Sequence, residues 1–151
     1  MSQSLKNQTL SNSALANLLA FSGAIPFVVP IVLSVLKLDV LGLDYQRIVY
    51  TYAAVIASFM SGIYWALALQ RDYIMRLFVE SNAITLAAWF ALLWYSPYSL
   101  LIFIACFICL LFIDLRLYRK GFLEIWYIKL RLMLTAIVVV SLFGYFVAQF
   151  I

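Results

Sequence analysis

Three long uncharged stretches restrict how this chain can fold. They cover residues 14–36, 48–69 and 132–151. Every backbone N–H and C=O within hydrocarbon must find its partner inside the same segment, and a bilayer core about 30 Å thick is crossed by a helix of roughly 20 mainly apolar residues. Each stretch therefore predicts one membrane-spanning helix.

A fourth apolar stretch, residues 77–117, is too long for a single crossing. Ser96 and Pro97 lie near its middle, where proline interrupts a helix and biases the preceding residue towards an extended conformation. We predict a helical hairpin with spans 77–95 and 98–117. The alternative is a re-entrant hairpin that enters and leaves on the same side of the membrane.

The composition agrees with five spans. Hydrophobic residues make up 68% of the chain and charged residues 11%, whereas a soluble domain has about 45–50% and about 25%. These proportions exclude a soluble nucleic-acid-binding domain, a disordered tail and a disulfide scaffold. The fold class predicted is an all-α integral membrane protein, with residues 1–151 forming a single transmembrane domain.

The basic residues predict the orientation of the chain, because short cytoplasmic loops are enriched in Lys and Arg. With five spans, only Lys37 and Arg47 fall on one side. The other side holds Lys6, Arg71, Arg76, Arg116, Arg119, Lys120, Lys129 and Arg131. We therefore expect a cytoplasmic N-terminus and a periplasmic C-terminus, in a multi-pass protein of the bacterial inner (cytoplasmic) membrane.

Charged residues also approach the ends of the predicted helices. Full-length hairpin spans draw Glu80 and Asp114 into the cytoplasmic end, at the level of Arg76, Arg116 and Arg131. Ionisable groups in a membrane are costly unless they are paired. The favoured interpretation is a charge cluster that ties the hairpin to the fifth helix, and the alternative is an entry site for protons or ions.

Small residues indicate where helices pack, since close backbone approach favours association in lipid. The second span carries Ala54, Ser58, Gly62 and Ala66 at intervals of four, and the first carries Ala16, Ala20 and Ala24. The two stripes pack against each other within one chain, or the second one forms a homo-oligomer.

Two prolines and one connection predict local features. Pro26 and Pro30 fall inside the first span and predict a kink, either purely structural or lining a transport path. Residues 118–131 contain Trp126 and Tyr127 among basic groups, and predict a segment that lies along the membrane interface.

The residues that carry chemistry are few. The sequence has no histidine, and Cys106 and Cys109 form a C-x-x-C in an apolar span, where packing thiols are the simpler interpretation. No phosphate-binding loop or hydrolase motif is present. We therefore expect no enzymatic activity, no catalytic residues, no metal and no cofactor, and we do not expect nucleic acid as a partner.

Several strings of the sequence form an ordered set along the chain: residues 23–27, 61–69, 114–117, 126–127, 130–131 and 134–135. This set resembles one family, the domain of unknown function 3429. Its members are small multi-span bacterial proteins with eukaryotic relatives similar to the mitochondrial transmembrane protein sixty-nine. The chain departs from the family pattern at Tyr64, where a basic or polar residue is common, and at Leu115, where Arg is common. These departures leave a polar role at both positions open.

The resemblance implies a five-span inner-membrane protein and assigns no activity. Our first hypothesis is a non-enzymatic scaffold or accessory protein that supports envelope integrity or a membrane complex. We expect membrane lipids as partners, a homo-oligomer (dimer or trimer), and contact with other inner-membrane proteins. The alternative is a small channel or transporter with a path formed between protomers.

Overall fold

The computed structural model of the chain describes residues 15, 17–38, 42–70 and 75–150. Ala16, Lys6 and Arg71, which the sequence-based predictions use, lie outside these ranges. Every regular element in the described part is a helix, which confirms the all-α class. The helices are α1 (residues 17–22), α2 (Ile25–Val35), α3 (Tyr45–Gln70), α4 (Met75–Trp94), α5 (Ser99–Arg119) and α6 (Ile125–Ala148).

Within the described residues, five segments are long and apolar enough to cross a membrane. The first is Asn17–Ser34, which combines α1 with most of α2, and the other four are α3 to α6. Both arms of the predicted hairpin, α4 and α5, reach this length. The fold is therefore that expected of a multi-pass membrane protein.

The first span is broken between α1 and α2. Gly23 and Ala24 form a turn, and Pro26 follows in the first turn of α2 while Pro30 lies inside it. The proline ring clashes with the carbonyl four residues earlier, so the break precedes Pro26. The Gly23 carbonyl accepts a hydrogen bond of 2.8 Å from the Tyr52 hydroxyl of α3, which compensates a helical bond lost at the break.

Helices α3 and α5 occupy the centre of the bundle. Helix α3 packs against α2, α4 and α5, whereas α5 packs against α3, α4 and α6. Contact between α2 and α6 closes the arrangement. The buried core runs along both central helices and includes Tyr50, Tyr64, Phe103 and Leu110.

The turn between α4 and α5 is built from local signals. Tyr95 adopts a left-handed conformation (φ 46°) and ends α4. The Ser99 hydroxyl then accepts a hydrogen bond of 3.2 Å from the Ser96 backbone N–H. On α3, the buried Tyr50 donates from its hydroxyl to the Ser96 carbonyl at 2.9 Å. These bonds fix the hairpin tip that Ser96 and Pro97 predict.

The predicted connection at residues 118–131 is too long. Helix α5 continues to Arg119, Gly121 takes a left-handed turn (φ 77°), and α6 begins at Ile125 instead of Leu132. The helix begins before the uncharged stretch because Arg131 is neutralised by an acidic partner on α5. Trp126 and Tyr127 are therefore helical.

The small-residue stripe of the second span does not face a single neighbour. Ala54 is buried and Ser58 half-buried, but Gly62 and Ala66 are exposed. Ala24 is buried and Ala20 half-buried. The buried face of α3 follows a different set of positions: Ala53, Ala57, Ser61, Tyr64 and Ala68.

Candidate polar site at one end of the bundle

Four helix ends meet at one end of the bundle. The C-terminal ends of α3 and α5 lie beside the N-terminal ends of α4 and α6. Asp114 lies five residues before the end of α5, and Arg131 six residues after the start of α6. At 1.5 Å per residue, both lie about 8–9 Å inside the helix ends.

The first polar group joins three helices. Nε of Arg131 on α6 donates to Oδ2 of Asp114 on α5 at 2.6 Å. The Tyr64 hydroxyl of α3 lies 2.8 Å from the other oxygen, Oδ1, and 2.9 Å from the Leu110 carbonyl. All three side chains are buried. We call Tyr64, Asp114 and Arg131 the buried triad.

The second polar group joins α4 to α5. Arg116 holds Glu80 with both terminal nitrogens, Nη1 to Oε1 at 2.8 Å and Nη2 to Oε2. Arg76, one turn before Glu80, donates from Nε to Oε1 at 2.6 Å. The bidentate contact between Arg116 and Glu80 fixes geometry as well as charge. We call Arg76, Glu80 and Arg116 the rim group.

The five charged residues that the sequence singles out thus form two groups. Each acid takes arginine partners, and within the described residues no hydrogen bond or ion pair links one group to the other. Sequence reasoning missed Tyr64, which serves as a polar partner although the family resemblance left that role open. Tyr64 lies on the same helical face as Ala53, Ala57 and Ser61, and this spacing was the sequence signal that its side chain is buried.

Hydroxyl contacts between α3 and α4 continue from this end of the bundle. The Ser61 hydroxyl lies 2.7 Å from the Thr85 hydroxyl, and the Ser81 hydroxyl donates to the Ser61 carbonyl at 2.7 Å. At the same level, the Cys106 thiol of α5 lies 3.9 Å from the Ile84 carbonyl of α4. Such contacts satisfy hydroxyl groups within a helix bundle and bring the backbones of α3 and α4 together.

An apolar groove of about 380 Å³ lies next to the buried triad, between α1–α2, α3 and α6. Phe27, Phe107 and Arg131, which are all buried, form its floor. The edge of the groove is formed by three exposed side chains, Leu19, Phe59 and Trp126. The groove therefore combines an apolar wall with one basic side chain.

Among the residues described, no three His, Cys, Asp or Glu side chains come together as metal ligands. Cys106 is buried and Cys109 exposed, and both are free thiols. The arrangement joins helices and presents a groove to the surroundings.

A family model described as "Protein of unknown function (DUF3429)" matches residues 13–147, which is nearly the whole chain. No curated protein and no solved structure matches.

Proposed function

The chain belongs to this family of proteins of unknown function, and we propose that it is a non-enzymatic scaffold or accessory protein of the bacterial inner membrane. The observation that carries this proposal is the use of its acidic residues. Glu80 and Asp114 are the acidic side chains within the described helices, and arginines hold both. A proton or cation carrier needs an acid that can change partners, whereas these acids connect helices.

The proposed orientation follows from the same end of the bundle. Arg76, Arg116, Arg119, Lys129 and Arg131 all lie at the end where α3 and α5 finish. The positive-inside tendency favours the cytoplasm for that end. On this orientation the N-terminus is cytoplasmic and the C-terminus periplasmic.

Self-association is the second part of the proposal. A Cβ at Gly62 would meet no atom within 4 Å, and Ala66 one turn later is also exposed. Among the described residues of one chain nothing requires a glycine there, because Gly62 has neither a close neighbour nor a positive φ. Small residues on a lipid-facing surface permit close approach of a second helix. This face of α3 supports a homo-oligomer, either a dimer or a trimer.

The test compares two glycines. Gly62→Leu is expected to convert the oligomer into monomer in native mass spectrometry from mild detergent, since leucine holds the helices apart. Gly144→Leu, on α6, is the matched control because a Cβ there also meets no atom within 4 Å. A wild-type protein that is entirely monomeric would contradict self-association.

The accessory role is tested in cells and in liposomes. Deleting the gene is expected to sensitise cells to detergent or osmotic stress, and Gly144→Leu but not Gly62→Leu is expected to restore resistance. Purified protein in liposomes is expected to conduct no ions. Ion flux above that of empty liposomes would favour the alternative, a path formed between protomers.

A further inference from the structure

The groove beside the buried triad has features of a ligand site. Its volume, about 380 Å³, falls within the range of about 300–1,000 Å³ typical of small-molecule pockets. Its lining is almost entirely apolar, and Arg131 is the one charged residue among the groove-lining residues. Apolar pockets with few polar groups bind ligands that have an apolar body and a polar end.

Arg131 has hydrogen-bonding capacity that the described residues do not use. A guanidinium carries five N–H donors. With the described residues, the Arg131 side chain makes one hydrogen bond, from Nε to Asp114. Its Nη2 is buried and has no partner among them. A buried donor without an acceptor is costly, more so when the group is charged, so the guanidinium gains stability if it turns towards an acceptor placed in the groove that Arg131 lines.

The position of the groove identifies the kind of acceptor. Trp126 and Tyr127 line the groove within the first turn of α6, and such aromatic residues favour the headgroup level. Arg131 lies about one turn deeper, and Val138 about two turns deeper still. The polar end of the groove thus faces the headgroup region, and its apolar length runs towards the bilayer centre.

We propose that this groove binds one anionic phospholipid of the surrounding bilayer. One acyl chain lies between Phe27, Phe59 and Val138, and an oxygen of the phosphate or ester group accepts N–H bonds from Arg131.

Charge and access both favour this occupant. Asp114 offsets the charge of Arg131, but Lys129, Arg119 and Lys120 add positive charge at the same end. Basic groups near the surface attract anionic lipids. The groove has an exposed edge, formed by Leu19, Phe59 and Trp126, and it opens there towards the surrounding bilayer. A lipid can therefore enter from the bilayer without crossing water.

The first experiment uses the unmodified protein. After delipidation in mild detergent, phosphatidylglycerol or phosphatidylcholine is added back and native mass spectrometry measures the fraction of chains that retain one lipid. We expect phosphatidylglycerol to be retained about tenfold more tightly, a difference of about 1.4 kcal/mol. Equal retention of the two lipids, or a fatty acid or quinone as the retained species, would overturn the proposal.

Variants locate the site. Ala20 lines the groove on α1 and is half-buried, so Ala20→Phe fills the groove without touching the buried triad. Ala83→Phe, at an exposed position on α4 outside the groove, is the matched control. Loss of the retained phosphatidylglycerol in Ala20→Phe alone would support the site, and retention in both variants would contradict it.

Arg131→Lys tests the polar end. Lysine keeps a positive charge opposite Asp114 but lacks the planar fork of donors. We expect this variant to retain a lipid while losing the preference for phosphatidylglycerol. An unchanged preference would show that Arg131 does not contact the headgroup.

Discussion

The two polar groups differ chiefly in burial. In the buried triad, the side chains of Asp114 and Arg131 are 1% and 7% exposed, whereas Glu80, Arg116 and Arg76 of the rim group are 20%, 32% and 76% exposed. Opposite charges meet at similar distances in both. Burial determines what happens when one partner is lost, because a buried charge left alone is far more costly than an exposed one.

We expect the largest effect from Asp114→Asn. This change leaves the Arg131 guanidinium buried without a counter-charge, and breaking a buried pair in this way costs about 3–5 kcal/mol. The free energy of unfolding, measured by denaturation in a fixed detergent, should fall accordingly. A variant that keeps wild-type stability but loses a cellular phenotype would indicate a functional acid in place of a structural one.

The double variant Asp114→Leu with Arg131→Met is the control for this prediction. Apolar residues of similar volume can replace a buried ion pair with little loss. We expect the double variant to recover most of the stability lost in Asp114→Asn. Failure to recover would mean that packing around α5 and α6, and not the unpaired charge, dominates.

Tyr64→Phe should have an intermediate effect. The change removes the hydroxyl that contacts both Oδ1 of Asp114 and the Leu110 carbonyl, while the ring remains. A buried acceptor left without its donor costs about 1–3 kcal/mol. The same unfolding measurement checks this value, and Tyr98→Phe, at an exposed ring, provides the control.

The smallest effect is expected from Glu80→Gln. Partly exposed ion pairs contribute about 0–1 kcal/mol, and the charge interaction is screened by salt. The difference from wild type should shrink between low and high salt, whereas that of Asp114→Asn should not. An equally large, salt-independent loss in both variants would remove the distinction between the two groups.

Local sequence features predicted most of the helices. Uncharged stretches and the Ser96–Pro97 break depend only on neighbouring residues, and their helices are present. The start of α6 was missed because Arg131 is neutralised by Asp114, a residue in another helix. No local pattern contains that contact.

The arrangement of the polar site was less accessible to sequence reasoning. Its division into two groups depends on how α4, α5 and α6 are rotated about their axes, which tertiary packing determines. The same applies to Gly62 and Ala66, whose regular spacing with Ala54 places them near one another on α3 but does not say what covers them. Pro26 and Pro30 predicted a kink, but the break itself lies at Gly23 and Ala24.

The buried triad also imposes an order on biosynthesis. Asp114 is synthesised 17 residues before Arg131, a delay of about one to three seconds at 5–20 residues per second. During that interval α5 carries an acid whose partner does not yet exist, while Tyr64 has already been made. The ion pair of the triad therefore forms only once α6 has been made, whereas the contact between Tyr64 and Asp114 needs no residue beyond α5.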